Sequence, residues 1–325
     1  MSVRIIKKGL LDTLQDFGRY GYQQLGINPG GVIDRIAATV ANMLVGNNSN
    51  EPVIEMHFPA SAFLFEDSAE IALSGADFGA SINGKKVALH TNIQVNKDAL
   101  LEFTGLKKGA RCYLAVHGGW QAQNWLGSHS TNLRVNAGGH NGAALKKHDI
   151  LLFSKRQQAA IPNNAALVAT GITIDTETFY RQHFVRIIKG NAYEQLSEQS
   201  RHCLSSSAFL ITAQSDRMGY RLQGEALKKT DNKDVLSSAV TRGTIQLLPT
   251  GQLIVLMADH QTTGGYPIVA HVISADLPTL AQKCANEKIC FRLIGTKEAE
   301  LALLQQQYQL DQLRLMTGNT KPLSS

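Results

Sequence analysis

Residues 215–221 read SDRMGYR, which places one carboxylate and two guanidinium groups, Asp216, Arg217 and Arg221, on a short stretch bent by a glycine. Arginine forks match the oxygens of a carboxylate or a phosphate, and a neighbouring carboxylate can orient them. The same residues also suit a structural Asp–Arg pair that supports the bend. Residues 259–267 read DHQTTGGYP and follow the apolar run LIVLMA. Gln261, Thr262, Thr263, Gly264, Gly265 and Tyr266 would offer an amide, two hydroxyls and backbone N–H groups to a polar or anionic substrate. A β-turn held by local hydroxyl bonds is the alternative. His117, Gly118 and Gly119 end an apolar run, and paired glycines allow the backbone to approach a ligand or a neighbouring segment closely.

Other motifs lead away from chemistry. GASINGKK (79–86) comes near a phosphate-binding loop, but Lys86 stands where a hydroxyl must reach magnesium. Asn83-Gly84 between short alternating segments is instead the signal for a type I′ hairpin turn. LGSHSTNLR (126–134) puts Ser128, His129 and Ser130 side by side without the Gly-x-Ser-x-Gly elbow of a hydrolase nucleophile, so a hydrogen-bonding loop is expected. The four cysteines form no CxxC pair and no Cys/His series, which indicates neither a metal site nor a disulfide framework. A reduced cytoplasmic setting follows. Charged residues through positions 4–19 interrupt any secretion-signal core, and the longest apolar run is far short of the ~20 residues that span a bilayer.

The elements that must position these residues are mostly strands. With 43% apolar and 18% charged residues, the 325-residue chain has the composition of a folded protein long enough for two domains. Its net charge of +6 is scattered in isolated lysine pairs, not gathered on one face with aromatics, so nucleic-acid binding is not expected. β-Branched and aromatic runs bounded by turn residues recur at 3–7, 53–58, 62–65, 70–74, 100–104, 112–117, 150–153, 185–189, 209–212, 244–248, 253–258 and 289–293. Helices are expected at 34–45, capped by Asp34 and stopped by Gly46, and at 192–204 and 297–314. VRIIK occurs at 3–7 and again at 185–189, and Arg-x-Gly-Tyr-x-x-x-Gly occurs at 19–26 and 217–224. Two matches in the same order point to two related halves, with a boundary near 155–166 dividing domains 1–160 and 161–325.

Together the segments TLQDFGRYGYQQLGI, GGVID, LSGADFGASING, YLAVHGGW, LGSHSTNLR, SDRMGYRLQG, GTIQLLPTGQLIVLMADHQTTGGYP and SADLPTLAQ resemble the KipA, allophanate-hydrolase-subunit-2, urea-amidolyase-related family. The resemblance runs from about residue 3 to about residue 295. It implies a mainly β fold of two pseudo-symmetric cyclophilin-like barrels with a few helices. It also implies a role in ATP-dependent opening of the 5-oxo-L-proline lactam to L-glutamate, in a complex with two partner proteins, one KipI-like and one LamB/YcsF-like. ATP would be shared with or supplied by those partners. Two alternatives stay open: a carboxyltransferase meeting carboxybiotin on a separate carrier, and a non-catalytic regulator of a KipI-like kinase inhibitor. On the matching positions, Asp216, Arg217 and Arg221 are expected at the reacting groups. Gln261, Thr262, Thr263, Gly264, Gly265, Tyr266, Asp34, His117, Gly118 and Gly119 are expected to line the site. His129 and His260 stand where the family usually carries arginine, which lowers the fixed positive charge and bears on substrate identity.

Overall fold

All twelve expected strand segments are strands in the computed structural model, which describes residues 1–154, 169–230 and 236–317. The chain is mainly β and divides into two units. The first comprises Met1–Arg19, Asp34–Thr178 and Leu310–Ser325, and the second Tyr20–Ile33 and Phe179–Gln309. The boundary expected near 155–166 lies outside the described residues.

In the first unit the strands form two six-stranded sheets. One runs, in spatial order, Ile150–Leu152, Ser2–Lys7, Ala62–Phe65, Ala99–Phe103, Ala80–Ile82, Lys85–Lys86. The other runs Ala169–Thr173, Thr91–Val95, Ala69–Asp77, Lys108–Val116, Val53–His57, Thr13–Gln15. Alternation explains how they meet: Val3, Ile5, Phe63, Phe65 and Leu101 of one sheet share a buried apolar cluster with Ile54, Met56, Ile71, Leu73 and Leu114 of the other. The edge strand Lys85–Lys86 closes the expected hairpin, pairing Ile82 with Lys85 across Asn83 and Gly84. Both turn residues have positive φ, 49° and 76°, as a type I′ turn requires. Two exposed lysines on that edge also discourage pairing with another chain.

The helix expected at 34–45 is Arg35–Leu44. Asp34 Oδ1 accepts the Ala37 N–H at 3.0 Å, and Gly46 follows at φ 69°. Its small residues Ala37, Ala38 and Ala41 let it lie buried on every side beyond Arg35.

The second unit holds a closed seven-stranded barrel. Its order is Val185–Lys189, Ile268–Val272, Thr244–Leu247, Leu253–Leu256, Gly219–Gln223, Ala208–Ile211, Lys288–Leu293. All pairings are antiparallel except Val185–Lys189 with Lys288–Leu293, which closes the barrel in parallel. The helix expected at 192–204 divides into a 3-10 turn, Tyr193–Gln195, and the helix Glu198–Ser206. Ser197 makes the break by accepting the Ser200 N–H as an N-cap, which needs extended backbone at its own position. The last helix is Thr296–Met316.

The two sequence repeats fare differently. Both VRIIK copies are strands that bury the first Val and Ile, and each arginine binds a carboxylate within its own unit: Arg4 with Glu66 at 2.5 Å and Arg186 with Asp276 at 2.6 Å. The Arg-x-Gly-Tyr copies share only their buried arginines. Gly21 is exposed at φ 89° with open space around it, and Tyr22 precedes a 3-10 turn. Gly219 and Tyr220 instead lie in a barrel strand, where a Cβ on Gly219 would sit 2.9 Å from Ile254 Cδ1 and Tyr220 is 2% exposed. The two glycines therefore serve different local structures.

Candidate functional site

The SDRMGYR and DHQTTGGYP motifs lie in the barrel unit, where strand Gly219–Gln223 pairs directly with strand Leu253–Leu256. Successive side chains here point opposite ways. Arg217 turns inward, 5% exposed, while Asp216 remains exposed and spends its carboxylate on its own turn, accepting from Met218 N–H at 2.8 Å and Gly219 N–H at 3.1 Å. The carboxylate that orients Arg217 is Asp259. Arg217 Nε donates to Oδ2 at 2.8 Å and Nη2 to Oδ1 at 3.1 Å, and Asp259 N–H donates to Arg217 O at 2.8 Å. Nη2 also reaches Gly31 O at 2.8 Å.

A second arginine repeats this use of the 29–33 segment. Arg242 donates through Nη1 to Val32 O at 3.0 Å and through Nη2 to Ile33 O. Gly30 and Gly31 have φ of 65° and 91°, the left-handed region in which glycine alone is unstrained, and this places three successive carbonyls before the two guanidinium groups. Arg221, by contrast, is exposed on its strand, and its guanidinium makes no hydrogen bond or ion pair among the described residues. Its backbone N–H donates to Ser215 Oγ at 3.0 Å.

Beyond Asp259 the chain becomes a loop. His260 is buried, and its Nδ1–H donates to Gln261 O at 2.5 Å, leaving Nε2 as the lone-pair nitrogen. Burial first, and then the Arg242 charge, hold the imidazole below its usual pKa, so it is neutral at neutral pH. Gln261 and Thr262 are half-buried; Thr263 and Gly264 pair with Ser238–Ala239 in a small ribbon; Gly265 and Tyr266 are exposed. The need for Gly264 comes from Gln246. That side chain is wholly buried on strand Thr244–Leu247, donates to Tyr266 O at 3.4 Å, and lies where a Cβ on Gly264 would come within 2.5 Å of its Nε2. Sequence reasoning missed Asp259, Arg242 and Gln246, although a lone glutamine within the apolar run TIQLL was a visible signal.

The remaining expected residues belong to the first unit. Asp34 caps its helix, and its N–H donates to Tyr113 Oη at 2.8 Å, whose hydroxyl donates to the buried Glu55 at 2.8 Å. Burial, reinforced by Glu55, raises the Tyr113 pKa and keeps it a donor. His117 Nδ1 meets Val45 O at 2.7 Å, Gly118 N–H donates to Asn47 Oδ1 at 2.9 Å, and a Cβ on Gly119 would approach Glu51 to 3.0 Å. These contacts are of the packing kind. The GSHST segment proves a hydrogen-bonding loop: Asp16 accepts from Ser128 Oγ, Ser130 Oγ and His129 N–H, each at 2.6 Å.

Comparison with known proteins sets this geometry among relatives. The chain is 35% identical to the C subunit of the 5-oxoprolinase of Escherichia coli K12, covering 96% of this chain and 97% of that protein. It is 33% identical to the C subunit of the 5-oxoprolinase of Haemophilus influenzae, covering 93% and 94%. The K. lactis urea amidolyase crystal structure superposes with a TM-score of 0.86 at 23% identity, over 96% of this chain but only 20% of that longer one, which is a likeness of fold. Residues 25–293 match the family described as carboxyltransferase domain, subdomain A and B, and the chain belongs to that family.

Proposed function

We propose that this chain is the C subunit of an ATP-dependent 5-oxoprolinase, which hydrolyses 5-oxo-L-proline to L-glutamate in the cytoplasm. The observation that carries this reading is the near end-to-end likeness to two proteins named as the C subunit of 5-oxoprolinase. A KipI-like protein and a LamB/YcsF-like protein complete the enzyme and share or supply the ATP site. A lactam carbonyl is a poor electrophile; transfer of the γ-phosphoryl group to its oxygen, with ADP leaving, activates it for water. The chain's own part is to hold a carboxylate substrate and a developing phosphorylated anion. In this reading Arg221 supplies the accessible guanidinium, and Gln261, Thr262 and Thr263 supply polar donors. The Arg217–Asp259 pair acts as the framework that sets the loop. Reconstitution of the chain with both partner proteins tests this: glutamate release requires all three, and Arg221→Ala lowers it by about 10-fold or more. Full turnover by this chain alone would overturn the composite site.

The family match favours a second reading, carboxyl transfer from carboxybiotin on a separate carrier protein. Biotin-dependent carboxylation of a small amide by the reconstituted proteins, without glutamate release, would select it.

A further inference from the structure

The barrel strands set Gln246 in line with Arg221. Arg221 lies opposite Ile254, Ile254 opposite Gln246, and Gln246 opposite Ile268, so the four form one row across the outer face of the barrel, while Val255 and Ile245 alternate into the core. Arg221 is exposed at one end of the row; Gln246, two strands away, is 0% exposed. Ile254 and Ile268 flank it and belong to an apolar cluster with Val240 and Leu256. Gln246 Nε2 donates to Tyr266 O at 3.4 Å, a long bond that turns Oε1 the other way. The buried Oε1 accepts no hydrogen bond among the described residues. Leucine or methionine would fill the same space without an orphaned oxygen, so packing does not account for an amide here.

We propose that Gln246 is a substrate-binding residue whose Oε1 accepts the lactam N–H while Arg221 holds the carboxylate of the same molecule, an assignment that rests on the 5-oxoprolinase reading above. Neighbouring strands lie about 4.8 Å apart, so roughly 10 Å separate the two backbones across Ile254. Side chains reaching in from both ends narrow that gap to the span of one small molecule. An unpaired acceptor welcomes a donor and rejects a carbonyl or a second carboxylate. At neutral pH 5-oxo-L-proline has one donor, its ring N–H, on the atom next to the carbon that bears the carboxylate. The apolar residues around Gln246 keep competing water from the bond, as in a pocket where a few polar groups fix orientation. The cover over Oε1 is the backbone at Gly264, where a Cβ would stand 3.4 Å from it. Gly264 belongs to a ribbon of two residue pairs, Ser238 with Gly264 and Ala239 with Thr263. A ribbon this short has little stability of its own and is the element that gives way when the ligand enters.

The test uses the chain reconstituted with both partner proteins. It compares 5-oxo-L-proline with 3-oxocyclopentane-1-carboxylate, a ketone of the same shape with CH2 in place of the N–H. The wild-type complex should bind the ketone, read as competitive inhibition of glutamate release, at least about 10-fold more weakly than the lactam. Gln246→Met, or Gln246→Leu should the first not fold, should raise KM for the lactam by about 10-fold and leave the inhibition constant of the ketone within about 2-fold, since the ketone never used the acceptor. A glutamine that only supports the loop would move both constants together, and that result overturns the proposal. So does a wild-type complex that binds ketone and lactam equally. An active wild type with neither constant changed in the variant sinks this assignment and leaves the 5-oxoprolinase reading standing; a wild-type complex that releases no glutamate ends both.

Discussion

Arg217 and Asp259 hold each other at two points, 2.8 and 3.1 Å, while the same guanidinium carries Gly31 O at 2.8 Å. With Arg217 5% and Asp259 16% exposed, removing the carboxylate takes two charge-assisted hydrogen bonds from a buried guanidinium. Asp259→Ala should therefore cost about 3 kcal/mol in urea unfolding. Arg217→Lys should recover little of the binding geometry, since a single ammonium cannot span both carboxylate oxygens and the Gly31 carbonyl.

Arg221→Ala should behave in the opposite way. The side chain is exposed and pairs with nothing among the described residues, so a stability change within about 0.5 kcal/mol is expected together with the loss of complex activity. Equal losses of stability and activity would make Arg221 a structural residue.

Gly264→Ala drives a methyl group to within 2.5 Å of Gln246 Nε2, and overpacking of this kind costs about 1–3 kcal/mol. Shortening the glutamine relieves the clash, so Gly264→Ala/Gln246→Ala should be more stable than the sum of the single changes implies. Thermal unfolding of the four proteins in a double-mutant cycle measures that coupling. Strict additivity would show that the close approach carries no energy.

Asp12 gives a pH signature. Burial lifts its carboxyl from 3.8 to about 6, against the opposing hydrogen bonds from Ser61 and the His57 N–H. Between those values the folded chain holds a proton that the unfolded chain has released, so stability falls as pH rises through the window. At about 1.4 kcal/mol per unit the loss approaches ~3 kcal/mol by pH 6 and stays constant above it. Asp12→Asn should flatten the dependence of urea-unfolding free energy between pH 4 and 6; a slope unchanged from wild type would assign it to other groups.

Much of the fold could be read from the sequence because its strands are short apolar runs between turn residues, and because Asn83-Gly84 admits few conformations other than its hairpin. Strands Thr91–Val95, Gly219–Gln223 and Ile268–Val272 escaped that reading. Asn92, Gln94, Arg221 and His271 interrupt their apolar pattern, and pairing with neighbours distant in sequence decides their structure. The candidate site was legible as a pair of motifs but not as a geometry. Asp216 adjoins Arg217 in sequence, yet consecutive side chains diverge, and the carboxylate that meets Arg217 comes from 42 residues away. The shared Arg-x-Gly-Tyr letters take different structures for a related reason: what a glycine does depends on what packs against it, and Gly21 has nothing near where Gly219 has Ile254.

The carbonyls of Gly31, Val32 and Ile33 that receive Arg217 and Arg242 come from the amino-terminal end of the chain, although they belong to the barrel unit. A gene cut at its midpoint would thus deliver a carboxyl-terminal product that holds all seven barrel strands but lacks the carbonyls that Arg217 and Arg242 bind. Such a fragment, residues 179–309, should stay insoluble or partly folded until a peptide spanning 20–33 is supplied in trans. The heritable module is then a discontinuous one, and any fission of this gene that preserves the barrel unit must keep residues 20–33 together with residues 179–309.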